Sequence, residues 1–414
     1  MNKKKILGII GAVVGIAAVC DVVIERACDI HEKIESQKPA KYVFLFIGDG
    51  MGWTNVSVAE SYLAYTDSLM GGPQLTFTKF PVYGTSWTYS NNERVTDSAA
   101  GGTAIATGKK TDNGHIGTNP DGSPIKSIAY DLHEKGYNIG IMSNVPVNHA
   151  TPASFFGQTF DRNEYRTITK QIAETGFEFF GGDGFIDFDN VEEGVNSDEY
   201  LESKNYAVAY GPTEFRDRLS EGKNMVFAQA HCRKNEDTGF NADTDKTKEY
   251  KIEKDPDRIS LGEMMQLCLD KIGDKKPFFI MCEGGDIDWA SHSNQTMAMI
   301  RDFQDMDTAV KLAYEFYLKH PDETLIIVTA DHETGTPTVG YKYHLDWAKF
   351  EEAEKSGEKL DKESNKDLNR NGVAWASGNH SGNVVPVYAI GKGAEKFAGA
   401  MENTDIKGKI LCEE

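Results

Sequence analysis

Tyr42-Val43-Phe44-Leu45-Phe46-Ile47-Gly48-Asp49-Gly50-Met51-Gly52 combines an unbroken apolar run with a glycine-rich turn that carries one carboxylate. Six apolar residues in a row are too few to span a membrane. They show neither polar alternation nor helical spacing, so they predict a strand buried on both faces. Further runs of this kind are Asn138–Met142, Met225–Gln229, Phe278–Cys282, Thr324–Thr329 and Val385–Ile390. Helix-like segments separate them: Lys126–Lys135, Tyr165–Thr175, Ile259–Ile272, and a long one from Thr296 to about Lys319. In the last, Met299, Ile300, Phe303, Met306, Val310 and Ala313 recur at helical spacing. This alternation predicts an α/β fold, a three-layer sandwich whose large, mostly parallel central sheet is covered by helices on both faces. Residues 41–414 read as one domain, with a short charged insertion around 342–375.

The net charge of -20 excludes nucleic acid as a structural partner, because a phosphate backbone demands Lys and Arg. Any phosphate site on this chain must concentrate positive charge locally, which bound metal ions do. At the N-terminus, Lys3, Lys4 and Lys5 precede an apolar run from Ile6 to Val19, the pattern of an export signal. Cleavage after Cys20 would place Ala18 three residues back, whereas an uncut run to Ile24 would serve as a membrane anchor. Residues 1–24 are therefore read as signal or anchor, residues 25–40 as a polar linker, and the chain as periplasmic or membrane-anchored outside the cytoplasm. None of the six cysteines forms a C-x-x-C pair, so thiolate zinc sites of that type are not expected. Cys232, Cys268 and Cys412 are open to pairing, and Cys282 reads as a buried small hydrophobe.

In a sheet of this type ligands bind beyond the carboxyl ends of the strands. Asp49 stands there after the first run, between glycines that permit a tight turn. Glu283 directly follows Phe278–Cys282, where a carboxylate is costly unless paired or metal-bound. Asp288 and His292 follow four residues apart, on one face of a helical turn and at good spacing for a shared ion. Asp331 and His332 follow Thr324–Thr329, and His380 sits in Gly378-Asn379-His380-Ser381-Gly382. Taken singly, each has an ordinary reading as turn, cap or surface residue.

Val95-Thr96-Asp97-Ser98-Ala99-Ala100-Gly101-Gly102-Thr103-Ala104 reads as a closely packed helix start with Asp97 or Ser98 near the cap. Free N–H groups at such an end suit a transferring phosphoryl group. Gly108-Lys109-Lys110-Thr111 is not a P-loop, since Lys110 takes the hydroxyl position and the required glycine is missing. Thr151, in His149-Ala150-Thr151-Pro152, offers a hydroxyl oxygen to a hard cation such as Mg²⁺. Arg162 offers a planar fork for two phosphate oxygens.

In their order along the chain these motifs resemble the alkaline phosphatase family, from Asp49 to His380 and the strand beyond. Val95–Ala100 is similar to the family's nucleophile segment, and Lys110-Thr111-Asp112-Asn113-Gly114 to the stretch downstream. The resemblance implies hydrolysis of phosphate monoesters through a covalent phosphoserine at Ser98, with Arg162 clamping the phosphate. It implies two zinc ions and one magnesium ion. Asp288, His292 and His380 resemble the first zinc's ligands. Asp49, Asp331 and His332 resemble those of the second, completed by Ser98. Asp49, Thr151 and Glu283 resemble the magnesium site. A homodimer is the family's expectation. His149 and Trp289 occupy positions where members differ, and the pair resembles that of marine bacterial members. The stretch from His332 to His380 is short beside the mammalian enzymes, so no large crown-like insertion is expected.

Two other readings compete. A phosphodiesterase or sulfatase of the same superfamily would share the metal core, but Arg162 grips two free oxygens that a diester lacks. A non-catalytic phosphate-binding protein would be expected to lack at least one ligand.

Overall fold

The structure, a computed structural model, describes residues 38–189, 191–234, 258–340, 345–356 and 362–413. The Lys3–Val19 run, Cys20, Cys28 and most of the 25–40 linker lie outside them. The strands are β1 (Tyr42–Gly48), β2 (Val82–Trp87), β3 (Asn138–Ser143), β4 (Phe179–Gly182), β5 (Tyr206–Tyr210), β6 (Asn224–Ala228) and β7 (Phe278–Gly284). They continue with β8 (Thr324–Thr329), β9 (Glu333–Thr334), β10 (Pro337–Val339), β11 (Val373–Trp375), β12 (His380–Ser381), β13 (Val385–Gly391) and β14 (Gly399–Glu402). Ten form one sheet in the order β14-β2-β13-β8-β1-β7-β3-β4-β6-β5. Its neighbouring strands are parallel except where β13 runs against β8 and β2.

The apolar runs divide their side chains between the two faces, as period-two geometry requires. Tyr42, Phe44 and Phe46 of β1 enter one core with Phe278, Ile280 and Ile326, under helices Trp53–Thr66, Leu261–Ile272 and Thr296–Tyr317. Val43, Leu45 and Ile47 enter the other with Phe279, Met281 and Ile327, under helices Ser98–Thr107, Ile128–Glu134 and Tyr165–Thr175. Each such side chain contributes roughly 1.5–3 kcal/mol on burial, as an upper bound. Both faces are therefore needed to pin the central strands, and with them the residues at their ends.

The charged 342–375 segment is tied to this body. Trp347 and Phe350 of helix Trp347–Lys355 are buried, the Trp347 ring meets Tyr62 at 5.2 Å, and β11 pairs with β10. Cys232, Cys268, Cys282 and Cys412 are free thiols, so no pair forms among Cys232, Cys268 and Cys412. Cys268 is buried on a helix facing the sheet, and Cys282 is buried within β7. Among the described residues, no helix is long and apolar enough to cross a membrane.

Candidate active site

Register brings the strand-end residues together. Ile47 of β1 pairs with Glu283 of β7 and with Thr329 of β8. Asp49, two residues past Ile47, therefore stands level with Asp331, and Glu283 closes β7 beside them. Asp49 N–H donates to the Gly284 carbonyl at 3.2 Å, and the chain turns away at Gly50 with φ 69°, a conformation that favours glycine. The short ladder of β9 and β12 pairs Thr334 with His380, which carries the His380 loop to His332. Helix Asp286–His292 sets Asp288 and His292 one turn apart, with 3.2 Å between Oδ2 and Nε2.

Ser98 opens the fully buried helix Ser98–Thr107, and Asp97 caps it by accepting from Ala100 N–H at 3.0 Å. The helix approaches the Asp331 turn so closely that a Cβ on Gly101 would lie 2.8 Å from the Asp331 carbonyl oxygen. Ser98 Oγ thereby reaches 3.2 Å from His332 Nε2. The same nitrogen lies 3.2 Å from Asp49 Oδ1 and 3.4 Å from Asp331 Oδ2. His332 Nδ1 faces Thr334 Oγ1 at 3.3 Å, and that hydroxyl donates to Asp288 Oδ1. The Thr334 oxygen thus accepts from Nδ1–H, and the network assigns the lone pair to Nε2.

The other two imidazoles follow the same rule. His292 Nδ1 donates to the Gly378 carbonyl at 2.8 Å and His380 Nδ1 to the Thr96 carbonyl at 2.9 Å. Their Nε2 atoms then face each other at 3.1 Å with lone pairs opposed, an arrangement a cation relieves.

Buried carboxylates deepen the demand for positive charge. Asp49, Glu283, Asp331 and His332 are wholly or almost wholly inaccessible. Both oxygens of Asp49, Oδ2 of Asp331 and Oε1 of Glu283 have no hydrogen-bond partner. Thr151 Oγ1 is directed at the Glu283 carboxyl without a hydrogen bond of good geometry. Unpaired buried charge of this kind is severely unfavourable, so these atoms call for cations. Burial, then the charges of Asp331, Asp288 and Glu283, drives Asp49 far above the usual carboxylate range. Burial first, then neighbouring acids, pushes Asp331 to about 7 and Glu283 to about 8. Asp288 differs in lying among the three rings, where Oδ1 accepts from Thr334 and any proton the rings take up, His292 first, favours the ionised carboxyl over the effect of burial. Three groups of ligand atoms converge: Asp288 with His332 and His380, Asp49 with Asp331 and His332, and Asp49 with His149 and Glu283.

The sequence model of the alkaline phosphatase family matches residues 40–178 and 219–360. The chain belongs to the alkaline phosphatase family. Alkaline phosphatase 3 of Bacillus subtilis is 30% identical, over 92% of this chain and 90% of the relative. Alkaline phosphatase 4 of the same organism is 29% identical, over 90% and 88%. Among solved structures, a His-to-Asp mutant of the alkaline phosphatase from the Antarctic bacterium TAB5, with magnesium bound in its M3 site, superposes with a TM-score of 0.71. It is 30% identical and the match covers 90% of this chain and 97% of that one. Alkaline phosphatases are metal-dependent phosphomonoesterases, and this member is an enzyme of that class.

In this alkaline phosphatase the guanidinium of Arg162 stands over the cluster. It donates to Asp97 Oδ2 at 3.0 Å and meets His149 Nε2 at 3.3 Å. Burial would raise Asp97, but Arg162 and the N–H groups of Ala100 and Gly114 outweigh it and keep Asp97 ionised. Burial, then Arg162, holds His149 down to about 3, so its imidazole is neutral. Trp289 packs edge-on against His149 at 5.8 Å. The structure thus brings every predicted site residue to one place. It adds His149 directly to the Asp49–Glu283 group, where the sequence placed it only nearby. Asp97 as the Arg162 anchor, Thr334 behind His332, and Glu333 were not foreseen. Glu333 accepts from Asn383 at 2.7 Å, Thr336 at 2.7 Å and Ser381 at 3.1 Å, tying the His332 and His380 loops together. Only the capping of Asp97 had a local signal.

Proposed function

We propose that this chain hydrolyses phosphate monoesters through a phosphoserine at Ser98, in a centre that holds two zinc ions and one magnesium ion. The observation that carries the reading is Ser98 Oγ at a helix N-terminus, 3.2 Å from an imidazole nitrogen whose lone pair is turned toward buried carboxylate oxygens of Asp49 and Asp331 that have no hydrogen-bond partner. Asp288, His292 and His380 would hold one zinc. Asp49, Asp331 and His332 would hold the other beside Ser98. Asp49, Thr151 and Glu283 would hold magnesium, the hard cation that such oxygens favour. When bound, these ions supply Lewis-acid stabilisation of the serine and leaving-group oxygens and of an attacking water.

The residues of the chain do the rest. Ser98 Oγ forms a bond to phosphorus as its proton passes to solvent, while the ester P–O bond breaks and the departing alcohol takes a proton from solvent. Water then attacks phosphorus and gives up a proton, the Ser98–phosphorus bond breaks, Ser98 Oγ regains a proton, and inorganic phosphate leaves. Arg162, oriented by Asp97, donates two N–H groups to equatorial phosphoryl oxygens. The three imidazoles, each with Nδ1 hydrogen-bonded, keep Nε2 aimed inward.

Arg162 favours monoester over diester or sulfate chemistry. Rates with chromogenic monoester, diester and sulfate should rank monoester first by a wide margin. Arg162→Ala should cut monoester turnover per molar substrate about tenfold or more and leave the diester rate nearly unchanged. Equal losses on both substrates would remove Arg162 from this role. The Lys3–Val19 composition supports action outside the cytoplasm, and recovery of all activity in the cytosol after fractionation would contradict it.

A further inference from the structure

Among the described residues, one more group of mixed ligand chemistry lies apart from the strand-end centre: Asp183, His231 and Cys232. Asp183 follows β4 directly, and His231 and Cys232 lie on the turn Ala230–Lys234 after β6. The pairing of Gly182 with Ala228 sets these two segments side by side. His231 Nε2 lies 3.1 Å from Asp183 Oδ1, and Cys232 Sγ donates to the same oxygen at 3.8 Å. All three ligand atoms fall within 4.8 Å of one another. Zinc bonds of about 2.0 Å to O and N and about 2.3 Å to S give tetrahedral edges of roughly 3.3–3.5 Å. The two observed separations lie close to that range.

We propose that Asp183, His231 and Cys232 form an additional metal site, for a zinc-class divalent cation, with water in the fourth position. The donor set is carboxylate, imidazole and thiol, which suits zinc and disfavours magnesium. Burial would raise Asp183, but His231 and the Arg258 charge outweigh it and keep it ionised. Arg258 itself donates to the Asn144 carbonyl at 2.6 Å and to Asp286 at 2.7 Å. Burial, then Asp183, pushes the Cys232 thiol up, so loading replaces its S–H bond with an S–metal bond and releases that proton to solvent. His231 would bind as the neutral ring through Nε2, its proton moving to Nδ1. Asp183 N–H donates to the Val145 carbonyl at 3.0 Å and Val147 N–H to Gly184 at 3.1 Å. An ion here would brace the turn that leads to His149 and Thr151.

The test is independent of phosphatase chemistry. The strand-end centre offers only nitrogen and oxygen, so a thiolate-to-cobalt charge-transfer band in the cobalt-substituted full-length enzyme reports a cysteine ligand. Expected is such a band, with one more metal equivalent per chain than in Cys232→Ser, which loses the band but keeps monoester turnover. If Cys232→Ser does not fold, His231→Gln replaces it; loss of the band and of one equivalent with the thiol intact is expected. No band in the parent enzyme, or a band and metal content unchanged in the variant, would overturn the site.

Discussion

The group of Asp288, His292 and His380 opens partly to solvent and is built around two imidazoles, whereas the group of Asp49, Thr151 and Glu283 is sealed and offers oxygen. In the first, backbone carbonyls pin each Nδ1 and the buried carboxylate accepts from the Thr334 hydroxyl. In the second, burial and mutual repulsion push the carboxylates toward protonation. The first can exist without its ion at moderate cost; the second is strained until a cation arrives. Ligand hardness follows the same division, borderline imidazole against hard oxygen. Asp49 belongs to the sealed side and also reaches His332, which links the two halves of the centre.

Removing that link should break the comparison most severely. Asp49→Asn keeps the shape but deletes the shared charge. Turnover should fall by about 10³-fold or more, as when one member of a concerted set is lost. Metal analysis should show both the Asp331–His332 and the Glu283 sites depleted. Normal metal content with normal turnover would show that Asp49 joins nothing.

A smaller effect separates the two halves by pH. Glu283 and Asp331 have ordinary values near 4.5 and 3.8, and in the metal-free fold they lie at about 8 and 7. Their folded-state values are raised, so the folded state binds more protons than the unfolded chain between about pH 4 and pH 8. The metal-free protein is therefore most stable below pH 4 with respect to these groups and loses stability as pH rises through that window. With cations bound the sign reverses, because metals compete with protons for the same oxygens. Chelator-stripped protein should melt a few degrees lower at pH 8 than at pH 5, while metal-loaded protein should not. A flat profile for the stripped protein would contradict the buried-charge account of the sealed group.

How much of this was legible depended on distance along the chain. β1, β7 and β8 announced themselves by unbroken apolar runs, and Asp49, Glu283 and Asp331 by standing immediately after them. β4 has only four residues, two of them glycine, and β2 alternates at a sheet margin, so neither carries the buried-strand pattern. Trp347 and Phe350 were hidden among charges although they anchor their segment. Asp97 meets Arg162 across 65 positions and Thr334 meets Asp288 across 46, and no local pattern encodes such contacts. The resemblance to a known family supplied ligand assignments that spacing alone left open.

The smallest predicted change sharpens the comparison at its boundary. His149 is an imidazole set against the otherwise oxygen-rich sealed group, and its Nδ1 is buried without a hydrogen bond. His149→Asp adds a carboxylate there and should tighten magnesium binding severalfold in enzyme preloaded with two zinc equivalents. A titration in which parent and variant saturate at the same magnesium concentration would remove His149 from metal selection.

The central claim rests on Ser98, and acid quenching during turnover of a radiolabelled monoester tests it most directly. The account predicts label trapped as phosphoserine on the peptide that contains Ser98, and no trapped label in Ser98→Ala. Label on another residue, or full turnover by Ser98→Ala, would contradict it.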